Sequence, residues 1–270
     1  MGKAWFNPAE LLGIAMVLLA LGWLAGVAGQ AYAPPGDRTA MIAQGERLSS
    51  LLGCKGCHGQ DLAGRLNFDE AGFGTLYASN LSRILPSYSD AALDRTLRTG
   101  LRPDGSALWE MPSAMFASLD PEEMRALTAY LRSVPPTGRT HPRAVMLAGW
   151  RYEARAGLYR SAAERVRDEA GLAPVDLGQD HARGRHLAMT ACSECHAARL
   201  DGNKAPYRPD LIVAASYSLS EFRTLMRTGR PTGGRTLKLM AEVARDRFSR
   251  LTDDEIAALH GYLSARALVP

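Results

Sequence analysis

Four cysteines and two histidines form a pair of identical patterns in this sequence. The members of the two C-x-x-C-H motifs are Cys54, Cys57 and His58 in the first copy and Cys192, Cys195 and His196 in the second. Two thiols three positions apart are able to form thioethers to the two vinyl groups of one haem. The histidine that follows is then placed to offer a ring nitrogen to the iron. The pattern therefore predicts two c-type haem attachment sites, with His58 and His196 as iron ligands.

A redox-active dithiol or half of a zinc site is the alternative interpretation of each motif. The two motifs together use all four cysteines of the chain, so none is left for a disulfide or a zinc cluster. Neither alternative requires a histidine at the same offset in both copies. The repeated histidine therefore favours haem attachment.

The sequence also repeats itself downstream of each motif. Gly100 precedes Met111 by eleven residues, and Gly229 precedes Met240 by eleven residues. An iron that only transfers electrons takes a sixth ligand, and methionine sulfur is a common choice in c-type cytochromes. Met111 and Met240 are therefore the predicted second ligands. The rivals are Met115 and Met226 among the methionines and His141, His181, His186 and His260 among the histidines.

Helices are predicted before each motif and at the end of each half. Gly45 and Gly184 lie eight or nine residues before the motifs, in the middle of predicted helices, where glycine costs stability. Their recurrence predicts a close approach by another helix. Asp120 before Pro121, and Thr252 three residues before Glu255, are typical caps of the closing helices.

The amino-terminal segment predicts a membrane anchor. Residues 11–29 carry no charge, and a helix of that length spans the roughly 30 Å hydrocarbon core of a bilayer. Lys3 precedes the segment, which favours a cytoplasmic start. Ala31 and Ala33, on either side of Tyr32, resemble a small-residue cleavage site, so a removed signal peptide is the alternative. Either interpretation exports the rest of the chain, and we favour a retained helix in the inner membrane with the haem domains in the periplasm.

Length and charge limit the remaining possibilities. The chain has 270 residues, which is sufficient for two compact domains, and a formal net charge of +4, far from the signature of nucleic-acid binding. Residues 1–35 are assigned to the anchor and its linker, 36–136 to the first domain, 137–180 to a helical linker and 181–270 to the second domain.

The sequence resembles the membrane-associated diheme cytochromes c, with domains similar to those in cytochrome subunits of bacterial alcohol, gluconate and aldehyde dehydrogenases. The residues that carry the resemblance are 54–58, 73–81, 88–90, 111–112 and 126–131 in the first half, and 192–196, 209–211, 240 and 258–263 in the second. The resemblance implies an all-α fold of two tandem cytochrome c-like haem domains after an N-terminal transmembrane helix. It also implies two covalently bound haem c groups, ligated by His58 with Met111 and by His196 with Met240.

The resemblance implies an electron carrier rather than an enzyme. Expected partners are membrane redox complexes, namely a quinol-oxidising complex, a terminal oxidase or a dehydrogenase, together with lipid around the N-terminal helix. Shuttle and fixed subunit both remain open, and a peroxidase-type enzyme with one open haem position is the alternative. Two departures stand out, because such subunits often have three domains and because Ala241 stands where the first half has Pro112.

Overall fold

The chain folds into two halves that repeat one arrangement of helices, in a computed structural model that describes residues 35–203 and 208–269. Residues 41–270 form one compact unit. In the first half the described helices are α1 (Pro35–Leu51), α2 (Cys54–His58), α3 (Leu81–Ile84), α4 (Asp90–Thr99), α5 (Ser113–Phe116) and α6 (Pro121–Ser133), with a 3₁₀ turn at Leu85–Ser87.

The linker and the second half continue the helical fold. The described linker helices are α7 (Ala148–Arg155) and α8 (Ala162–Asp168), followed by a 3₁₀ turn at Gln179–His181. The second half contains α9 (Ala182–Ala191), α10 (Ser193–His196), α11 (Leu219–Thr228), α12 (Lys238–Asp246) and α13 (Asp253–Arg266), with 3₁₀ turns at Leu211–Ser216, Thr232–Gly234 and Phe248–Arg250.

A close crossing of two helices organises each half, as the repeated glycines predict. A Cβ atom added to Gly45 on α1 would lie 1.9 Å from the carbonyl oxygen of Ala126 on α6. A Cβ atom added to Gly184 on α9 would lie 2.1 Å from the carbonyl oxygen of Ala258 on α13. Both positions therefore admit only a hydrogen where the two helices touch, and the prediction of close helix approach is confirmed.

The predicted caps of the two closing helices are also present. Asp120 and Glu123 form a reciprocal capping box at the start of α6, with Pro121 in its first turn. Thr252 and Glu255 form the matching box at the start of α13. Each box satisfies backbone N–H groups that have no partner inside the helix, so both helices begin at a defined residue.

Arginines hold the turn before each closing helix in the same way in both halves. Arg98, in the last turn of α4, donates from Nη1 to the carbonyl oxygens of Ala117 and Leu119 at 3.0 and 2.8 Å. Arg227, in the last turn of α11, donates from Nη1 to the carbonyl oxygen of Ser249 at 2.7 Å. These bonds fix the closing helices relative to the methionine segments that precede them.

A small sheet in the first half corrects the expectation of an all-α fold. Strand β1 (Arg65–Glu70) pairs antiparallel with β2 (Gly74–Ala78), and β2 pairs antiparallel with β3 (Val145–Met146) of the linker. Gly72 turns the chain between β1 and β2 at φ 77°. A Cβ atom on Gly74 would lie 2.2 Å from the carbonyl oxygen of Val145, so glycine permits the third strand to approach.

The linker packs against the first half through one large aromatic side chain. Trp150 on α7 is fully buried, whereas Leu158, between the two linker helices, is exposed. Gly157, at φ 71°, lies two residues after the end of α7, whereas Gly149 lies inside α7. The linker is therefore a structured part of the first half, although its sequence shows no motif.

The two halves contact each other through both charge and apolar packing. Arg47 on α1 donates to both carboxylate oxygens of Glu255 on α13, at 2.8 and 3.0 Å. Leu51, at the end of α1, belongs to the apolar core of the second half. His186 on α9 lies 2.9 Å from the carboxylate of Glu123 on α6. Helix α1 thus joins the first haem motif to the second half.

None of the helices in the described ranges is long and apolar enough to cross a membrane. The predicted anchor at residues 11–29 and the possible cleavage site at 31–33 lie outside those ranges.

Candidate haem sites

The first C-x-x-C-H motif forms its own short helix immediately after α1. Gly53 adopts φ 82° and ψ 10°, which breaks α1 and starts α2 at Cys54. Cys54 and His58 are buried, and Cys57 is exposed. A left-handed glycine is the usual way to turn the chain at a helix end. The motif therefore presents two thiols from one helical turn and a histidine at the end of that turn.

The orientation of His58 is set by the segment that follows β2. Its Nδ1 lies 2.7 Å from the carbonyl oxygen of Ser79. A carbonyl oxygen only accepts, so the proton must be on Nδ1 and the lone pair on Nε2. Metal-ligating histidines characteristically donate the other ring N–H to a carbonyl or carboxylate in this way. His58 is therefore in the tautomer that iron ligation through Nε2 requires.

The second motif has the same arrangement. Helix α10 carries Cys195 and His196 directly after α9, and Cys192 lies between the two helices. Nδ1 of His196 lies 2.8 Å from the carbonyl oxygen of Pro209. Both imidazoles are thus held by a backbone carbonyl from the segment that follows their motif, and both direct the Nε2 lone pair away from that bond.

The environment keeps both imidazoles neutral. Burial lowers the pKa of His58 below its ordinary value, against the opposing effect of the Ser79 carbonyl. Burial likewise lowers the pKa of His196. Only a neutral imidazole has a lone pair for a metal, so the local fold favours the ligand form of each histidine.

The thiols of the four cysteines differ from those of a redox-active dithiol. All four thiols are unpaired in the structure. Burial raises the pKa of Cys54 to about 11 and that of Cys192 to about 12, and it also raises the pKa values of Cys57 and Cys195. Reactive dithiols have thiolates with lowered pKa values, so the raised values do not fit a redox-active pair. In the described part of the chain, no cysteine belongs to a cluster of three metal-binding side chains. The residues present therefore fit covalent haem attachment.

The predicted methionine of the first half lies in a strained turn at the edge of the first core. Met111 is partly buried against this core, and Glu110 before it adopts φ 58°, an unusual value for a residue with a side chain. Pro112 after it begins the turn into α5. The rival Met115 is 2% exposed and packs inside the core. The accessible sulfur of this segment is thus that of Met111.

The second half presents its methionine differently. Met240 lies in the first turn of the nine-residue helix α12, partly buried against the second core. Ala241 replaces the proline of the first half, and the interval to Phe248 is three residues longer than that from Met111 to Phe116. A helix takes the place of the turn because no proline interrupts it. The rival Met226 is 3% exposed in the core.

Three of the rival histidines contact protein groups. His141 stacks on Tyr77 with ring centroids 5.2 Å apart. His260 has Nε2 2.8 Å from the carbonyl oxygen of Tyr217. His186 lies against Glu123, as described above. Each of the three rings therefore has a protein partner.

Arg247 lies between the two motifs and escaped the sequence analysis. Its Nε donates to the carbonyl oxygen of Leu51 at 3.0 Å, and its Nη1 donates to Glu194 of the second motif at 2.8 Å. A Cβ atom on Gly53 would lie 2.8 Å from the guanidinium carbon of Arg247. One arginine therefore spans from the residue before the first motif to the middle of the second. A single arginine gives no sequence signal for such a contact.

Comparisons with known proteins agree with this geometry. The cytochrome c family model matches residues 42–135 and again residues 181–266. The cytochrome subunit of fructose dehydrogenase from Gluconobacter japonicus is 25% identical over 290 residues, covering 96% of this chain and 59% of that protein. The cytochrome c subunit of a quinone alcohol dehydrogenase from Gluconacetobacter polyoxogenes is 26% identical, covering 90% of this chain and 60% of that protein.

A shorter relative also matches. A diheme cytochrome c-type protein from Cereibacter sphaeroides is 27% identical over 185 residues, covering 60% of this chain and 58% of that protein. The chain thus spans about three-fifths of the length of these curated relatives. Both matched regions contain one C-x-x-C-H motif and the methionine predicted to accompany it. The chain belongs to the cytochrome c family, with two tandem cytochrome c domains that imply covalently bound haem c and a role in electron transfer rather than catalysis.

Proposed function

We propose that this chain is a diheme electron carrier that binds one haem c in each half and serves as an electron-transfer subunit or shuttle of a respiratory or dehydrogenase complex. The observation that carries the proposal is the repeated motif whose histidine is held through Nδ1 by a backbone carbonyl. Haem c, when bound, supplies reversible one-electron chemistry at iron.

In each half, different residues would hold the haem by different bonds. Cys54 and Cys57 would fix one porphyrin edge covalently, and His58 would bind iron through Nε2 because Nδ1 is engaged with Ser79. Met111 would supply the second protein ligand of the iron. A methionine sulfur raises the reduction potential relative to a second imidazole, so ligation by Met111 would favour acceptance of electrons from a dehydrogenase.

The second half would act in the same manner through Cys192, Cys195, His196 and Met240. Arg247, which contacts both motif regions, keeps the two attachment sites close to each other. Two haems fixed at neighbouring sites form a relay.

The names of the relatives support a partner of the dehydrogenase class. Two of the relatives are named as cytochrome subunits, one of fructose dehydrogenase and one of a quinone alcohol dehydrogenase. The uncharged residues 11–29 support attachment to the inner membrane, with the haem domains in the periplasm and lipid around the anchor. Anchoring would raise the effective concentration of the relay near a quinol-oxidising complex, a terminal oxidase or a dehydrogenase.

Substitution of each candidate methionine tests the proposed ligands. Met111→Ala should remove the methionine-to-ferric-iron absorption band of one haem and lower the reduction potential of that haem, leaving the other unchanged. Met115→Ala is the matched control, because this side chain is in the core. It should retain both bands while lowering the free energy of unfolding by about 2–5 kcal/mol. Loss of the band in Met115→Ala but not in Met111→Ala would overturn the assignment.

Mild detergent extraction tests the partner. The chain should migrate with a large redox complex if it is a fixed subunit, and alone if it is a shuttle. A high-spin haem with rapid peroxide turnover would instead contradict the role as a carrier.

A further inference from the structure

The segment that leads to Met111 is covered by the linker. Residues 100–108 form a closed loop, in which the N–H of Leu108 donates to the carbonyl oxygen of Gly100 at 2.7 Å. The linker then crosses this loop. The N–H of Ala162 donates to the carbonyl oxygen of Leu108 at 2.9 Å. A Cβ atom on Gly100 would lie 2.7 Å from Ala162, so the start of α8 is in direct contact with the loop.

Aromatic rings continue this contact toward Met111. Trp109 stacks on Tyr159 of the linker, with centroids 5.5 Å apart and planes 8° apart. The edge of Trp109 also meets Trp150, with centroids 5.2 Å apart. Trp150 is fully buried, so it is a fixed support for both rings. The residue two positions before Met111 is thereby clamped between two linker side chains.

The residue directly before Met111 is held by a hydrogen bond. The hydroxyl of Tyr159 donates to the carboxylate of Glu110. Glu110 adopts φ 58°, in the left-handed region that side-chain-bearing residues rarely occupy. Such a conformation persists only when surrounding contacts hold it. Tyr159 supplies such a contact through both its ring and its hydroxyl.

In the second half, the segment around the methionine is held without the linker. A Cβ atom on Gly229, the counterpart of Gly100, would lie 2.6 Å from the carbonyl oxygen of Ala241. Ala241 follows Met240 in helix α12. The methionine of the second half is therefore fixed by the helix that contains it, whereas that of the first half depends on a neighbouring segment.

We propose that Tyr159 is a positioning residue for the iron ligand Met111, acting through Trp109 and Glu110, and that the linker thereby sets the strength of methionine ligation in the first half only. This inference rests on the proposed function, because it takes Met111 as a ligand. The linker is then part of the first haem site.

Competition by imidazole tests this role in the full-length ferric protein. Imidazole replaces a weakly held methionine, and the loss of the methionine-to-iron band measures the replacement. Tyr159→Phe removes a hydrogen bond to a charged group and so weakens the hold on Met111. Imidazole should therefore bind about tenfold more tightly at one haem. Tyr152→Phe, in an exposed position on α7, is the matched control and should bind imidazole as the unmodified protein does.

Further variants distinguish a wrong role for Tyr159 from a wrong assignment of Met111 as the ligand. Glu110→Ala should match Tyr159→Phe, and the double variant should add little, because both remove one interaction. Equal imidazole affinity in Tyr159→Phe and Tyr152→Phe would overturn the inference. If Met111→Ala retains both bands, the proposed ligand itself is wrong. An equal change at both haems would indicate a general loss of stability and would also contradict a role limited to the first half.

Discussion

Replacement of Gly45 by alanine should separate the two helices that hold the first haem motif in place. The added Cβ would lie 1.9 Å from the carbonyl oxygen of Ala126 and 2.7 Å from Cβ of Tyr130. Ordinary van der Waals contact begins at 3.4 Å, so α1 must move by about 1.5 Å relative to α6. The obstacle is backbone, which has no alternative rotamer.

The expected cost follows from this displacement. Overpacking of a well-packed core costs about 1–3 kcal/mol, and a clash with backbone belongs at the upper end of that range. Gly45→Ala should therefore lower the free energy of unfolding by about 3 kcal/mol. Gly184→Ala should behave alike, since its Cβ would lie 2.1 Å from the carbonyl oxygen of Ala258. Urea unfolding, followed by circular dichroism and haem absorbance, measures both values.

Gly261 provides a control on the second pair of crossing helices, α9 and α13. It lies inside α13, and a Cβ atom added there would meet nothing within 4 Å. Alanine at this position should raise the free energy of unfolding by up to about 1 kcal/mol, because glycine is the poorer helix former. Equal stability of Gly45→Ala and Gly261→Ala would refute the close helix crossing.

Two ion pairs between the halves should affect stability in opposite pH ranges. Burial alone would raise the pKa of Glu255, but the bonds from Arg47 outweigh it and hold that pKa below its ordinary value. The stabilisation is therefore present above the unfolded pKa of about 4.3 and lost as the pH falls through the folded pKa. Arg47→Ala should lower the free energy of unfolding by about 2 kcal/mol at pH 7 and by less at pH 3. Urea unfolding measures both values, and a loss that does not depend on pH would contradict the pair. The hydrogen bond to Glu123 raises the pKa of His186, so its stabilisation is complete below about pH 6.5 and is lost as the pH rises through the folded pKa. His186→Gln should remove this dependence above about pH 6.5, and an unchanged pH profile would contradict the pair.

The helices and their crossings were predictable because their signals are local. Glycines at matching offsets and caps such as Thr252 with Glu255 act within one or two turns of chain. The repeat made these signals easier to recognise, because Gly45 and Gly184 each support the interpretation of the other. The close approach at both glycines is confirmed by the structure.

The small sheet and the contacts of the linker were not predictable in the same way. Strand β3 has two residues and pairs with a segment about seventy positions earlier, so periodicity gives no signal. The carbonyl groups of Ser79 and Pro209 orient the two histidines. Every residue has a backbone carbonyl, so no residue type indicates this contact in the sequence. Tyr159 reaches Glu110 only because the linker folds back over the first half.

The number of haems bound per chain tests the account most directly. The purified protein should show the polypeptide mass plus two haems after denaturation, and its alkaline pyridine spectrum should give two haem c groups per chain. A double substitution, Cys192→Ser with Cys195→Ser, should reduce both measurements to one. A colourless protein with the mass of the bare polypeptide would contradict the account.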